Sequence, residues 1–186
     1  MSNLLVRGGK KLTGEITPAG NKNSALPIIC ATLLTDETVV LKNVPDLVDV
    51  SKLIDLMIEL GSQIDWDKEN KVLKINNSNF KNSLDGNGLP LGMRGAILLL
   101  GPLASRFDHI EIKTDIGGCS LGIRELDPHI DVLKDLGAKV SINGFIDIDT
   151  KDGLFGAEIW QDYMSVTTTE NFIMAAVKAK GKSVMT

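Results

Sequence analysis

Leu53-Ile54-Asp55-Leu56-Met57-Ile58-Glu59-Leu60-Gly61-Ser62-Gln63-Ile64 recurs downstream as Ile130-Asp131-Val132-Leu133-Lys134-Asp135-Leu136-Gly137-Ala138-Lys139-Val140. Each copy carries apolar residues at helical spacing and changes to strand alternation after a glycine. A glycine at that point caps a helix, because without a Cβ it enters the left-handed conformation at little cost. Gly61 and Gly137 lie 76 positions apart, which makes the two copies the centres of a repeated unit.

The flanks repeat as well. Upstream lie apolar helical stretches over 25–34 and 94–106, each followed by a strand signal, at 39–41 and 110–112. Downstream come pairs of short alternating strands, 63–66 with 72–75 and 139–142 with 145–148. The unit is helix, strand, helix, strand, strand, and the fold class is α/β. A third copy opens at Thr168-Thr169-Glu170, with a helix over 171–179 and a strand at Ser183-Val184-Met185. The pattern then calls for about one more helix and two strands, and a repeat that cannot bury its own apolar face needs such neighbours. The expectation is two full repeats and a truncated third, the front part of a longer protein.

Local punctuation refines this picture. Pro27 falls in the first turn after the cap candidate Ser24, which puts Lys22 and Asn23 immediately before a helix N-terminus, where an anion is held well. Pro102, beside Gly101, predicts a kink within the second apolar helix. Asp85-Gly86-Asn87-Gly88-Leu89-Pro90 reads as a polar loop before the second unit.

Composition bounds the function. The chain has 186 residues, 43% hydrophobic and 24% charged, with a formal net charge of -4. That is a globular composition with no electrostatic reason to bind nucleic acid or an anionic membrane, so the expected partner is a small molecule or a protein. Two cysteines without CxxC spacing and only His109 and His129 build neither a closed zinc site nor a disulfide framework. No metal or cofactor is expected. Arg7, Lys10 and Lys11 stand where a signal peptide needs its apolar segment, and the stretch from Ala96 to Ala104 is broken by Gly101-Pro102 and too short to span a bilayer. The natural compartment is a reducing cytoplasm.

The two thiols read differently. Cys30 sits in the apolar run Ala25-Leu26-Pro27-Ile28-Ile29-Cys30-Ala31 and belongs to the core. Cys119 follows Gly117-Gly118, five residues before the fixed charge of Arg124, an arrangement that favours a reactive thiolate. A buried packing thiol on a turn is the alternative for Cys119 at this level.

Taken together, Gly20-Asn21-Lys22-Asn23-Ser24-Ala25-Leu26-Pro27, Met93-Arg94-Gly95-Ala96, Gly117-Gly118-Cys119 with Arg124, Asp127 and His129, and Ser165-Val166-Thr167 with Thr169-Glu170-Asn171 resemble the UDP-N-acetylglucosamine 1-carboxyvinyltransferase family of enolpyruvyl transferases. The resemblance covers essentially the whole chain but less than half of a typical member. It implies an inside-out α/β architecture of two domains with three repeats each and a cleft between them. Residues 1–20 would be strands pairing with the missing second domain, at Leu4 to Val6 and Glu15 to Thr17, and 21–186 an incomplete first domain.

The implied reaction adds the 3-hydroxyl of UDP-N-acetylglucosamine to C2 of phosphoenolpyruvate, protonates C3 and expels phosphate, the first committed step of peptidoglycan synthesis. By resemblance Lys22 grips phosphoenolpyruvate as a point charge, Arg124 contacts its phosphate through a planar fork, and Cys119 is the general acid, alkylated by fosfomycin in the family. Asn23 and Arg94 would contact substrate. Arg124, Glu125, Leu126, Asp127 and Pro128, with Tyr163, Met164, Ser165 and Val166, would contact the uridine and sugar side. Where the family reads Arg-Pro-Val-Asp-Leu-His, this chain reads Arg124-Glu125-Leu126-Asp127-Pro128-His129, with a displaced proline and an added anion. His129 is left outside the catalytic set, as a residue on the face of an amphipathic helix.

The family's proposed base and several cleft arginines lie in the second half, so this chain alone is expected to be inactive. The sibling enzyme acting on shikimate 3-phosphate shares the fold but not the Gly117-Gly118-Cys119 loop with Arg124. A non-catalytic UDP-sugar-binding or regulatory remnant is the runner-up. A thiol redox protein, with Cys30 approaching Cys119 in space, is the third reading.

Overall fold

The computed structural model describes residues 4–82, 94–113, 126–142, 145–162 and 164–186, with Arg94 and Lys113 described in backbone only. The loop at Asp85 to Pro90 and the Gly117-Gly118-Cys119 stretch through Glu125 lie outside these residues.

The first helix, α1 (Lys22–Ala31), starts earlier than its apolar pattern. Its cap is Asn21, not Ser24: Asn21 is extended, and its carboxamide oxygen accepts from the Asn23 and Ser24 amides at 2.7 and 3.3 Å. An asparagine oxygen in that geometry satisfies two orphan donors at once. Lys22 and Asn23 therefore form the first turn rather than precede it. Pro27 lies inside the helix, where its missing N–H removes the bond that would reach the Asn23 carbonyl. A 3-10 turn at Thr32–Leu34 follows.

α2 (Val48–Glu59) and α4 (Asp127–Asp135) end alike. Gly61 and Gly137 have φ of 100° and 99°. Ser62 N–H donates to the Met57 carbonyl and Gly61 N–H to Ile58, both at 2.9 Å; Ala138 donates to Leu133 at 2.9 Å and Gly137 to Lys134 at 2.8 Å. Both are Schellman motifs, so the repeat legible in sequence is repeated down to individual cap hydrogen bonds.

The strands β1 (Val39–Lys42), β2 (Gln63–Asp67) and β3 (Val72–Asn76) form an antiparallel sheet in the order β1-β3-β2. β4 (His109–Lys113), β5 (Lys139–Ile142) and β6 (Phe145–Asp149) form a second in the matching order β4-β6-β5. Leu73 and Ile75 on β3, and Ile146 and Ile148 on β6, turn inward, while alternate residues face water.

The second apolar helix is a 3-10 helix at Arg94–Leu99 continuing into α3 (Leu100–Arg106). The expected kink at Pro102 is instead a change of helix type just before it, which leaves Pro102 in the first turn of α3, where an amide is not needed. α5 (Val166–Ala176) begins five residues before its expected start because Ser165 caps it, accepting from Thr168 N–H at 3.3 Å. β8 (Val184–Met185) pairs in parallel with β7 (Glu158–Ile159) across α5; a two-residue strand carries no alternation, and β7 had no sequence signal.

The inner helices run side by side in one direction. Gly101 N–H donates to Asn171 Oδ1 at 2.7 Å, and Ser105 Oγ, one turn further, donates to the Met174 and Ala175 carbonyls at 3.2 and 3.0 Å. A Cβ at Gly101 would collide with the Asn171 carbonyl oxygen, so glycine sets how closely α3 meets α5. Arg106 at the end of α3 donates to the Leu33 carbonyl at 2.9 Å, and α1 packs on the Arg94–Leu99 helix, which aligns α1 with the other two. α2 lies on α1 and the Arg94–Leu99 helix, and α4 on α3 and α5. Ile29, Leu33, Leu53, Met57, Leu99, Leu103, Ile110 and Leu133 share one core.

The N-terminal segment expected to pair with a second domain has no partner strand among the described residues. Residues 4–20 carry no ladder among the described residues, and Leu4, Leu5, Val6, Leu12 and Ile16 are exposed. An extended segment without a partner strand has no hydrogen bonds to define it.

Candidate functional site

Three parallel helical elements begin at Lys22, Arg94 and Val166, 72 residues apart each time. Their shared direction puts the three starts at one end of the inner bundle. The positive ends of the helix dipoles collect there, which suits anionic groups. The candidate residues Lys22 and Asn23 fall on the first of these starts, and Ser165 and Val166 on the third, preceded by exposed Met164.

Lys22 is half exposed, and its Nζ donates to Asp49 Oδ2 at 2.8 Å. Asp49 sits in the first turn of α2, where a carboxylate complements the helix dipole. Sequence reading did not single out Asp49; its only local signal was an acidic residue near a helix start. The pair aims the ammonium group and, at this exposure, contributes at most about 1 kcal/mol.

Leu126, Asp127 and Pro128 form the entry to α4. Leu126 accepts from the His129 and Ile130 amides at 2.9 and 3.2 Å, and Asp127 and Pro128 are the first two helical residues. His129, on the face of this amphipathic helix, is 5% exposed and turns inward. Asn171, fully buried on α5, donates to His129 Nδ1 at 2.8 Å and to the Ile97 carbonyl at 2.9 Å. Thr167 Oγ1 lies 3.3 Å from His129 Nε2 and 3.3 Å from Ser165 Oγ. The α4 entry and the α5 entry are thus tied together through a buried histidine. Of the other candidates, the side chain of Arg94 and all of Cys119, Arg124, Glu125 and Tyr163 lie outside the described residues.

Cys30 has no exposed surface, and burial, reinforced by the Glu170 carboxylate, pushes its thiol far above the ordinary range. Burial also raises the Glu170 carboxyl. A thiol held neutral in the core is inert, in accord with its reading as packing. A cavity of about 570 Å³ lies between residues 19–21, α1 and β1; Asn21, Ser24, Ile28 and Val40 line it, without Lys22 or Asn23. Among the described residues no three His, Cys, Asp or Glu side chains gather as a metal site, and no helix is long and apolar enough to cross a membrane.

The chain belongs to the family described as EPSP synthase (3-phosphoshikimate 1-carboxyvinyltransferase), whose model matches residues 6–186. Within it, the chain is 41% identical over 186 residues to a protein of Sulfurovum sp. (strain NBC37-1) named UDP-N-acetylglucosamine 1-carboxyvinyltransferase, covering 100% of this chain and 43% of that protein. A protein of the same name from Borreliella burgdorferi is 44% identical over 186 residues, with the same coverage of 100% and 43%. The chain thus spans about 43% of the length of these curated relatives. Among solved structures, the enolpyruvyl transferase NikO from Streptomyces tendae superposes with a TM-score of 0.73 at 19% identity, over 96% of this chain and 42% of that one. EPSP synthase from Acinetobacter baumannii gives 0.71 at 18% identity, over 93% and 40%. These two share the fold.

Proposed function

We propose that this chain forms one wall of the site that transfers enolpyruvate from phosphoenolpyruvate to the 3-hydroxyl of UDP-N-acetylglucosamine, a step of peptidoglycan synthesis, in a protein that extends beyond residues 1–186. In this reading 1–20 pair with a second domain, 21–186 are most of a first domain of three inside-out repeats, and the remaining catalytic groups lie on the second. The observation that carries it is the common end of the three parallel helix starts, on which Lys22, Asn23, Ser165 and Val166 fall, with Leu126, Asp127 and Pro128 tied to it. The names of the relatives supply the UDP-sugar and the carboxyvinyl group it receives.

The chemistry follows from the charges handled. The sugar oxygen bonds C2 of phosphoenolpyruvate as its hydroxyl proton passes to a base on the second domain, and C3 takes a proton from the Cys119 thiol, giving a tetrahedral phospho-ketal. Loss of a C3 proton then restores the double bond as the C2–O bond to phosphate breaks. Lys22 offsets phosphoenolpyruvate's negative charge, Asn23 donates to and accepts from the tetrahedral species, and Arg94 and Arg124 add cationic contacts. Cys119 delivers the proton to C3. Tyr163 to Val166 and Arg124 to Pro128 hold the uridine and sugar.

The test is phosphate release by the purified full-length protein given both substrates. Turnover that falls at least about a hundredfold in Lys22→Ala, as loss of one electrostatic stabiliser does, supports the reading, with residues 1–186 alone releasing none. Full-length protein that binds the UDP-sugar but releases no phosphate replaces it with a binding remnant.

A further inference from the structure

Asn171 allows a complete hydrogen-bond account. Gly101 N–H is an obligate donor, so the atom it meets at 2.7 Å is the Asn171 carbonyl oxygen, and the other end of the carboxamide is the NH2 group. One of its hydrogens goes to the Ile97 carbonyl at 2.9 Å, which leaves the other for His129 Nδ1 at 2.8 Å. That nitrogen must accept, so the neutral imidazole carries its proton on Nε2, which faces Thr167 Oγ1 at 3.3 Å. One buried amide on α5 thus joins the Arg94–Leu99 helix, α3 and α4, and His129 carries the link on to Thr167 in the first turn of α5.

Position gives this network its meaning. His129 is the residue after Pro128, and Thr167 the residue after Val166. The histidine meets α5 twice, at Asn171 and at Thr167, so side chains that belong to neither segment link 126–128 to 164–166. A buried asparagine and histidine add little net stability over well-packed apolar residues, but they admit only one arrangement.

We propose that Asn171, His129 and Thr167 are positioning residues that hold segment 126–128 against segment 164–166 so that both grip the UDP-sugar at once. This rests on the proposed function, because the two segments matter together only if one ligand spans them. The phosphoenolpyruvate side, at Lys22 and Asn23, lies on α1 and is not part of the network.

Thr167→Val tests the relay, since it removes the hydroxyl with almost no change of shape at a half-buried position and leaves the Asn171 bonds intact. In the full-length protein the expected result is a KM for UDP-N-acetylglucosamine raised about five- to tenfold, the effect of one hydrogen bond, with kcat and the KM for phosphoenolpyruvate within about twofold. Thr167→Ser restores the wild-type value. His129→Asn, whose oxygen can still accept from Asn171 but cannot reach Thr167, gives the same one-sided rise. Unmoved KM values in active Thr167→Val protein overturn the inference and leave the proposed function standing. So does a fall in kcat and both affinities that tracks a lower Tm, because that describes a structural role only. Wild-type protein that neither turns over nor binds the UDP-sugar overturns both.

Discussion

Asn77 and Asn171 are both sealed from solvent, and each spends both ends of its carboxamide on neighbours, yet they sit at opposite ends of the inner helices. Asn77 accepts from Ser62 Oγ at 2.6 Å and donates to Thr32 Oγ1 at 2.9 Å, while its backbone carbonyl accepts from Arg106 at 2.7 Å. Thr32 follows α1 and Arg106 is the last residue of α3, so this cluster closes the C-terminal end of the bundle. The Asn171 cluster closes the other end, beside the candidate site. The same chemistry thus serves two purposes: far from the helix starts it fixes the fold, and near them it also fixes the separation of segments that we assign to a ligand.

Removing each asparagine in turn separates the two roles. Asn171→Ala strands Gly101 N–H, takes a donor from the Ile97 carbonyl and from His129 Nδ1, and is expected to cost about 3 kcal/mol by chemical denaturation, together with UDP-sugar affinity. Asn77→Ala should cost about 2 kcal/mol, chiefly for the stranded Ser62 hydroxyl, and leave affinity per folded molecule unchanged. If isothermal titration shows equal loss of affinity for both, the division of roles is wrong.

The two helix caps differ in the room around their glycines. Gly137→Ala is expected to cost about 1 kcal/mol for its left-handed backbone. Gly61→Ala should cost more, because a Cβ there meets the Asn79 carbonyl oxygen at 2.5 Å, whereas at Gly137 it meets only the Phe155 ring at 3.3 Å. Thermal melts of the pair check the order.

Cys30 supplies a pH test within the same core. Its folded thiol ionises far above the ordinary value near 9.0 and the unfolded thiol does not, so its contribution is fully present below pH 9 and is lost as pH rises beyond it. Above that point the wild type should lose about 1.4 kcal/mol more per pH unit than Cys30→Ala, read from urea midpoints. Parallel pH profiles would contradict the burial of this thiol. The smallest effect belongs to Asp49→Asn, under about 1 kcal/mol in stability, because the Lys22 pair is exposed.

The repeat was legible because it rests on local signals. Apolar spacing and the closing glycines Gly61 and Gly137 located α2, α4 and the strands after them, and the apolar run around Cys30 marked the core. What sequence reading missed depends on contacts or on single atoms. Asn21 outcompeted Ser24 as a cap through its backbone geometry, and β7 is too short to alternate. Asn171 meets His129, Gly101 and Ile97 across separations of 42, 70 and 74 residues, so no periodicity announces them. His129 looked like one polar residue on an amphipathic helix because the partner that turns it inward lies on another repeat.

Hydrogen–deuterium exchange of the full-length protein with and without UDP-N-acetylglucosamine addresses the convergence of helix starts most directly. Slowed exchange in peptides covering 126–133 and 164–171, with none in 72–82 around Asn77, is the expected result. Protection at 72–82 with none at 126–133 and 164–171 would contradict a ligand seated on the shared N-terminal end of the parallel helices.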